Sequence, residues 1–353
     1  MTARRRPGTG PGRIACVPDL HHDRYHRPGR DARDGRRDMA GESGSDRPHE
    51  APHPALRAHT EIRQLRDPLL LAAFRGFSDP QGAAAAAIDH FAEQWGAQPL
   101  ADVDPEAFYD FTVQRPRVRL EEGERVMDWP QTRFMVASPA GAGRDVVLLR
   151  GAEPHLRWRT FAEAIAALLE TVGSTESVTL GAQPAAVPHT RPLPVTLSAS
   201  DAAFEERFGL SAPGSRYQGQ TGIVGVLNLH LRARGWRNAS LWALAPHYLT
   251  IGPNPAVSLA LAALVDRGYG TATGHVALTK QLGEFDEQVQ EALAQSSEAA
   301  DYVRQLEEQY DANRPADDET SDPGAADAAS ELPPTADLLD DLESFLRRRR
   351  DPD

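Results

Sequence analysis

Eight polar side chains stand where segments that read as buried strands run out: Asp79, then Glu153, His155 and Arg157, then His189 and Arg191, then His247 and Tyr248. Ligands of open parallel α/β sheets bind outside the carboxyl ends of the strands, so residues there can converge on one rim. Carboxylates, imidazoles and guanidinium groups in such a rim would suit an anionic or ribose-like ligand. The same turns are rich in proline, above all GAQPAAVPHTRPLPV at 181–195. This offers a second reading, in which the prolines stiffen the turns and the His and Arg side chains satisfy loop carbonyls and carboxylates.

Gly219, Gly222 and Gly225 form G-x-x-G-x-x-G at the start of a helical segment. Backbone N–H groups at a helix start can cradle a phosphate, but close helix packing asks for the same glycines, and the spacing is neither the dinucleotide nor the Walker pattern. His49-Glu50-Ala51-Pro52-His53 satisfies H-E-x-x-H, a zinc motif that works only on a helix. Pro48, Pro52 and Pro54 forbid that helix, and no metal site is expected. No G-x-S-x-G elbow and no spaced pair of acids marks a hydrolase, and no cofactor is expected.

The elements that would position the rim alternate. PLLLAAF at 68–74 reads as a buried strand, AAAAAIDHFAEQW at 83–95 as a helix, and DVVLLR at 145–150 as the next strand after antiparallel strands within 106–138. Helix WRTFAEAIAALLETVG (158–173), strand SVTLGA (177–182), helix TGIVGVLNLHLRARG (221–235), strand ASLWALA (239–245) and helix PAVSLALAALVDRG (255–268) continue the pattern. Helices alternating with short unbroken apolar strands imply an α/β protein with a largely parallel sheet covered on both faces. One or two amphipathic helices follow between about 280 and 312, packing on the sheet domain or on each other. The expected organisation is a polar disordered segment 1–58, an α/β/α domain 59–274, a helical subdomain 275–312, an acidic linker 313–334, and a short helix LLDDLESFLRRRR with its tail at 335–353. Met39 is a candidate start.

The 353 residues are 40% hydrophobic and carry a net charge of −13. Residues 276–353 hold 21 acids and 7 bases, and residues 1–50 hold 8 acids and 11 bases, so the stretch between them is close to neutral. A neutral core with an acidic tail argues against nucleic acid, which needs a basic face. No apolar run reaches the roughly 20 residues of a membrane span, and a cytoplasmic protein is expected. Cys16 is the single cysteine, which leaves no disulfide within the chain and no cysteine nucleophile in the core.

The blocks DPLLLAAFRGFSDPQGAAAAA, YDFTVQRPRVRL, RDVVLLRGAEPHLRWRTF, VTLGAQPAAVPHTRPLPV, SRYQGQTGIVGVLNLHLRARG and SLWALAPHYL, in this order and spacing, resemble the PAC2 (proteasome assembly chaperone 2) family in its actinobacterial branch. The resemblance covers about residues 60–312. It implies a three-layer α/β/α sandwich similar to purine nucleoside phosphorylases, with added C-terminal helices and self-association into a homo-oligomer. It also implies a protein-interaction role, because eukaryotic and archaeal relatives help assemble or dock on proteasome rings. The chain departs from the branch at Gly76-Phe77-Ser78-Asp79-Pro80-Gln81-Gly82, where G-W-N-D-A-G is usual, and at Gln183-Pro184-Ala185-Ala186, where an acid usually precedes the Val-Pro-His-Thr-Arg-Pro run. It ends in Asp351-Pro352-Asp353, where proteasome-docking relatives end in hydrophobic-Tyr-X. Two readings of function result: a non-enzymatic assembly or scaffold protein with a proteasome-related partner, or a protein that binds or transforms a nucleoside-like or carboxylate metabolite at the rim.

Overall fold

A computed structural model describes residues 49–121, 123–214 and 217–313. In chain order the elements are β1 (Leu56–Ala58), β2 (Leu69–Arg75), α1 (Ala83–Gln94), β3 (Gln98–Val103), β4 (Arg117–Glu121), β5 (Glu124–Asp128), β6 (Thr132–Ala137), β7 (Val146–Ala152) and α2 (Trp158–Val172). They continue with β8 (Glu176–Ala185), β9 (Val195–Ala199), α3 (Ala202–Phe208), α4 (Ile223–Ala233), β10 (Arg237–Pro246), α5 (Pro255–Tyr269), α6 (Val276–Ala294) and α7 (Ser297–Ala312).

The strands form an eight-stranded sheet of order β1-β3-β6-β7-β2-β8-β10-β9, with β4 and β5 in a separate two-stranded sheet. Its centre, β7-β2-β8-β10, is parallel, as the unbroken apolar runs lead one to expect. Both flanks are antiparallel, so the sheet is mixed rather than largely parallel. The flanking strands β3 and β9 were not legible because each carries a proline or a polar residue among its few apolar positions. β1 reaches into the stretch assigned to the polar leader: its one buried apolar side chain, Leu56, is too little for composition to detect. The expected terminal linker and helix, Met39 and Cys16 lie outside the described residues.

Alternation along β2 shows why the middle strands are apolar on both sides. Leu69, Leu71 and Ala73 pack toward α1 and α5, and Leu70, Ala72 and Phe74 pack toward α2 and α4. Helix ends follow local chemistry. Gly173, at φ 83°, closes α2 in the left-handed region that glycine tolerates, and Asn254 caps α5 with Pro255 at its first turn. Two helices follow α5, and their apolar stripes, Val289 and Ala292 on α6 with Val303 and Leu306 on α7, close over Tyr248 and Leu249 just after β10. Among the described residues no helix is long and apolar enough to cross a membrane.

At the amino end of the central strands a buried carboxylate gathers its surroundings. Glu176 accepts from Arg144 (3.0 Å), Arg207 (2.6 Å), Arg237 (3.1 Å) and the Tyr269 hydroxyl (3.0 Å), so β8, β10, α3, α5 and the turn before β7 meet on one group. Asp67 and Asp201 take the outer sides of Arg144 and Arg237. Removing one member of a buried ionic cluster leaves uncompensated charge. Glu176→Gln is therefore expected to lower unfolding free energy by roughly 3–5 kcal/mol. Urea titration checks this, and a loss below about 1 kcal/mol would show that the arginines do not depend on the carboxylate.

Candidate functional site

The loop after β2 turns back at once, with Gly76 and Asp79 forming an isolated bridge, and Ser78 carbonyl accepts the Ala182 amide of β8 at 2.9 Å. Asp79 is buried and its Oδ2 accepts from the Ala85 amide at 2.9 Å, so it serves the start of α1. Burial pushes its carboxyl up, opposed by hydrogen bonds from the Ala85, Ala84 and Ala83 amides. Glu153, at the end of β7, reaches across this loop. Its Oε2 accepts from the Phe77 amide at 3.0 Å and its Oε1 from the Ile223 amide at 2.7 Å. The N-terminus of α4, a phosphate cradle on the sequence reading of the glycine triplet, thus receives a carboxylate of the protein itself.

The glycines explain the fit. A Cβ on Gly222 would stand 2.8 Å from Glu153 Oε1 and 3.0 Å from Ser78 Oγ, and one on Gly76 would stand 2.8 Å from Glu153 Cβ. Gly225 lies inside the first turn of α4, whereas Gly219 lies in the preceding loop beside Tyr217. Of the three, Gly222 is the one whose missing side chain admits a carboxylate.

His155 and Arg157 face a different neighbour. The His155 and Leu156 amides donate to Phe108 carbonyl at 2.9 and 3.0 Å, and His155 Nδ1 accepts from the Asp110 amide at 3.1 Å. Arg157 adopts φ 56° at the start of α2 and lays its guanidinium 5.9 Å from the Phe108 ring centre. Both hold the 108–110 segment against the end of β7.

The proline-rich elbow meets the C-terminal helices. His189 amide donates to Tyr248 Oη at 2.8 Å, and His189 Nδ1 lies 2.7 Å from the same oxygen. Burial pushes the Tyr248 phenol up, so it keeps its proton and donates a hydrogen bond to Nδ1, which leaves the proton of neutral His189 on Nε2. Burial also lowers the His189 pKa, with Glu307 acting weakly in the other direction. His247 is buried, its Nδ1 donates to Ala185 carbonyl at 3.0 Å, and its Nε2 accepts from Tyr302 Oη of α7 at 3.1 Å. Arg191 forks onto Asp311 at 2.9 and 2.8 Å and reaches Glu307 at 3.3 Å. Thr190 donates to Glu307, and Tyr310 donates to Pro192 carbonyl at 2.8 Å.

The eight rim residues therefore serve three jobs. Asp79 and Glu153 satisfy helix-start and loop amides, His155 and Arg157 seat the 108–110 segment, and His189, Arg191, His247 and Tyr248 hold α7. Sequence reasoning missed the partners on α7, Tyr302, Glu307 and Asp311. Glu307 and Asp311 are four apart on one helix face, a spacing that fits a two-acid receptor for an arginine but does not say which arginine. His49 to His53 is not helical, and His53 Nδ1 accepts from the Ala55 amide at 3.1 Å. Among the described residues no group of His, Cys, Asp and Glu is arranged to hold a metal ion.

A central mixed sheet between two helical layers, with a helical pair latched to its rim, defines a three-layer α/β class. Within that class the chain belongs to the PAC2 family, whose model matches residues 73–293. A PAC2 family protein from Streptomyces avermitilis is 37% identical, with a TM-score of 0.61 over 67% of this chain and 100% of that one. A Mycobacterium tuberculosis proteasome-assembly chaperone homologue is also 37% identical, with a TM-score of 0.60 over 67% of this chain and 99% of that one. A second Mycobacterium tuberculosis protein, of unknown function, is 26% identical, with a TM-score of 0.67 over 86% of this chain and 100% of that one. No curated protein matches the chain.

The elbow carries a pH signature. An unfolded histidine takes up a proton near pH 6.5, whereas folded His189 does so only at lower pH, so the unfolded state gains protons first and stability falls as pH drops below about 6.5. His90, lowered by burial and then by His275, adds to the same slope. His189→Asn is expected to flatten part of the decline between about pH 7 and pH 5 in urea midpoints, and an unchanged slope would remove His189 from the account.

Proposed function

We propose that this PAC2 protein is a non-enzymatic assembly or chaperone-like scaffold protein related to proteasome assembly chaperones. It works in the cytoplasm, associates with copies of itself, and engages a proteasome-related protein partner. The observation that carries this reading is the employment of the rim. Glu153 is bound to two backbone amides, and His189, Arg191, His247 and Tyr248 are bound to the elbow and α7, so the groups best suited to a substrate already hold loops in place. Such loops make a rigid platform, and rigidity lowers the ordering cost of protein association.

The platform also presents apolar side chains. Phe77 and Leu156 are 62% and 52% exposed on the loops that Glu153 and Phe108 hold. Large side chains standing out from immobilised loops are the usual anchors of protein interfaces. The similarity to the Mycobacterium tuberculosis proteasome-assembly chaperone homologue supports a partner of that kind. The metabolite reading draws less support, because a ligand would have to displace contacts that the fold itself uses.

The test is co-purification of tagged full-length protein from a native lysate, beside light scattering of the isolated chain. Proteasome-related subunits and a mass above the monomer are expected. Phe77→Asp with Leu156→Asp should weaken the association at least tenfold without lowering the melting temperature. A monomer that retains no partner would sink the proposal, and saturable stabilisation by nucleosides or phosphate in a thermal-shift screen would move the assignment to the metabolite reading.

A further inference from the structure

Among the described residues the hairpin of β4 and β5 pairs only with itself. Val118 faces Met127 and Leu120 faces Arg125, and cross-strand partners share a side, so these four lie together. Val118, Leu120 and Met127 are 57%, 73% and 45% exposed. The other side carries Arg117, Arg119, Glu121, Glu124 and Asp128, with Arg119 and Glu121 paired at 3.0 Å and Val126 half-buried. A two-stranded hairpin is at best marginally stable in water, and a bare apolar strand face invites a partner.

The hairpin stands at the rim end of the sheet. The segment leading into it is bound through Phe108 carbonyl to the His155 and Leu156 amides, and β6, which leaves it, begins at Thr132, whose hydroxyl meets Tyr109 Oη at 2.5 Å. α7 finishes at the same end, where Asp311 holds Arg191 and Tyr310 holds Pro192. The chain beyond Asn313 therefore starts from the side of the molecule on which the hairpin projects.

We propose that the C-terminal segment Asp337–Leu346 of the same chain covers the apolar face of this hairpin. The segment lies outside the described residues, and its sequence carries the matching chemistry: Leu338, Leu339, Leu342, Phe345 and Leu346 recur at helical spacing among Asp337, Asp340, Asp341 and Glu343. The leucines and phenylalanine suit Val118, Leu120 and Met127. The acids suit Arg125, which sits in the apolar face and has no ion pair among the described residues. Residues 314–336 join the two parts, and a chain of that length reaches at most about 80 Å. Tethering gives the segment a local concentration in the millimolar range, so a small apolar contact is enough. A second copy docking through this face alone has no such help, since three side chains fall well short of the roughly 800 Å² per partner that a stable interface buries.

The test is hydrogen–deuterium exchange on the full chain, independent of any proteasome partner. In Leu342→Glu/Phe345→Glu, amides of residues 117–128 are expected to exchange at least tenfold faster than in the parent at an unchanged melting temperature. Val118→Glu/Leu120→Glu, at exposed positions that the fold tolerates, should release residues 337–346 by a similar factor. Hairpin exchange that neither pair alters overturns the proposal. Protection that rises with protein concentration overturns it in favour of a second copy, and protection that appears only with an added partner protein overturns it in favour of that partner.

Discussion

The carboxylate of Glu153 is the tie on which the rim depends. Four parallel strands end side by side, and each hands its chain to a loop whose amides have lost the ladder. Buried backbone donors without acceptors are costly, so such loops need internal partners. Glu153 supplies them at the centre: it leaves β7, crosses the turn after β2 and closes the start of α4. Gly76 and Gly222 have no side chains because that carboxylate must come so close. Asp79 plays the corresponding part at α1.

With the central loops closed in this way, the outer part of the rim is given to the C-terminal helices. Their attachment combines an apolar seam around Tyr248 and Leu249 with a polar edge in which Arg191, Thr190 and Pro192 meet Asp311, Glu307 and Tyr310. Tyr248 joins the two, since its ring packs edge-on against His189, His247 and Tyr302 while its hydroxyl fixes the elbow. The prolines before and after His189 fix φ on either side of the turn at His189–Thr190, so few conformations are lost when it makes these bonds. The opposite end of the sheet is fastened differently, by three arginines on one buried carboxylate. One end of the molecule is thus an ionic anchor and the other a set of stiffened loops, and the exposed apolar residues Phe77, Leu156, Val118 and Leu120 belong to the latter.

Much of this was legible in the chain. The central strands and the helices between them announce themselves because a strand buried on both faces must be apolar throughout, and a helix covering it must be apolar along one stripe. The block resemblance to the PAC2 family carried the family itself. The rim positions were legible as strand ends, which is a matter of order along the chain. Their roles were not, because whether Glu153 waits for a ligand or binds Ile223 depends on where α4 begins in space, 70 residues later. The flanking strands were lost for a related reason: β1, β3 and β9 are defined by the neighbour they pair with, and their own residues carry little of that information.

The sequence by itself therefore determined the layered α/β architecture, the family and the places where polar loops would gather, since periodicity and turn chemistry act over a few residues. Only the tertiary structure decided what those loops do. A carboxylate becomes a helix cap, and an arginine becomes a latch for α7, through contacts between residues as far apart as Arg191 and Asp311. Such contacts are set by the packing of whole elements rather than by any spacing along the chain.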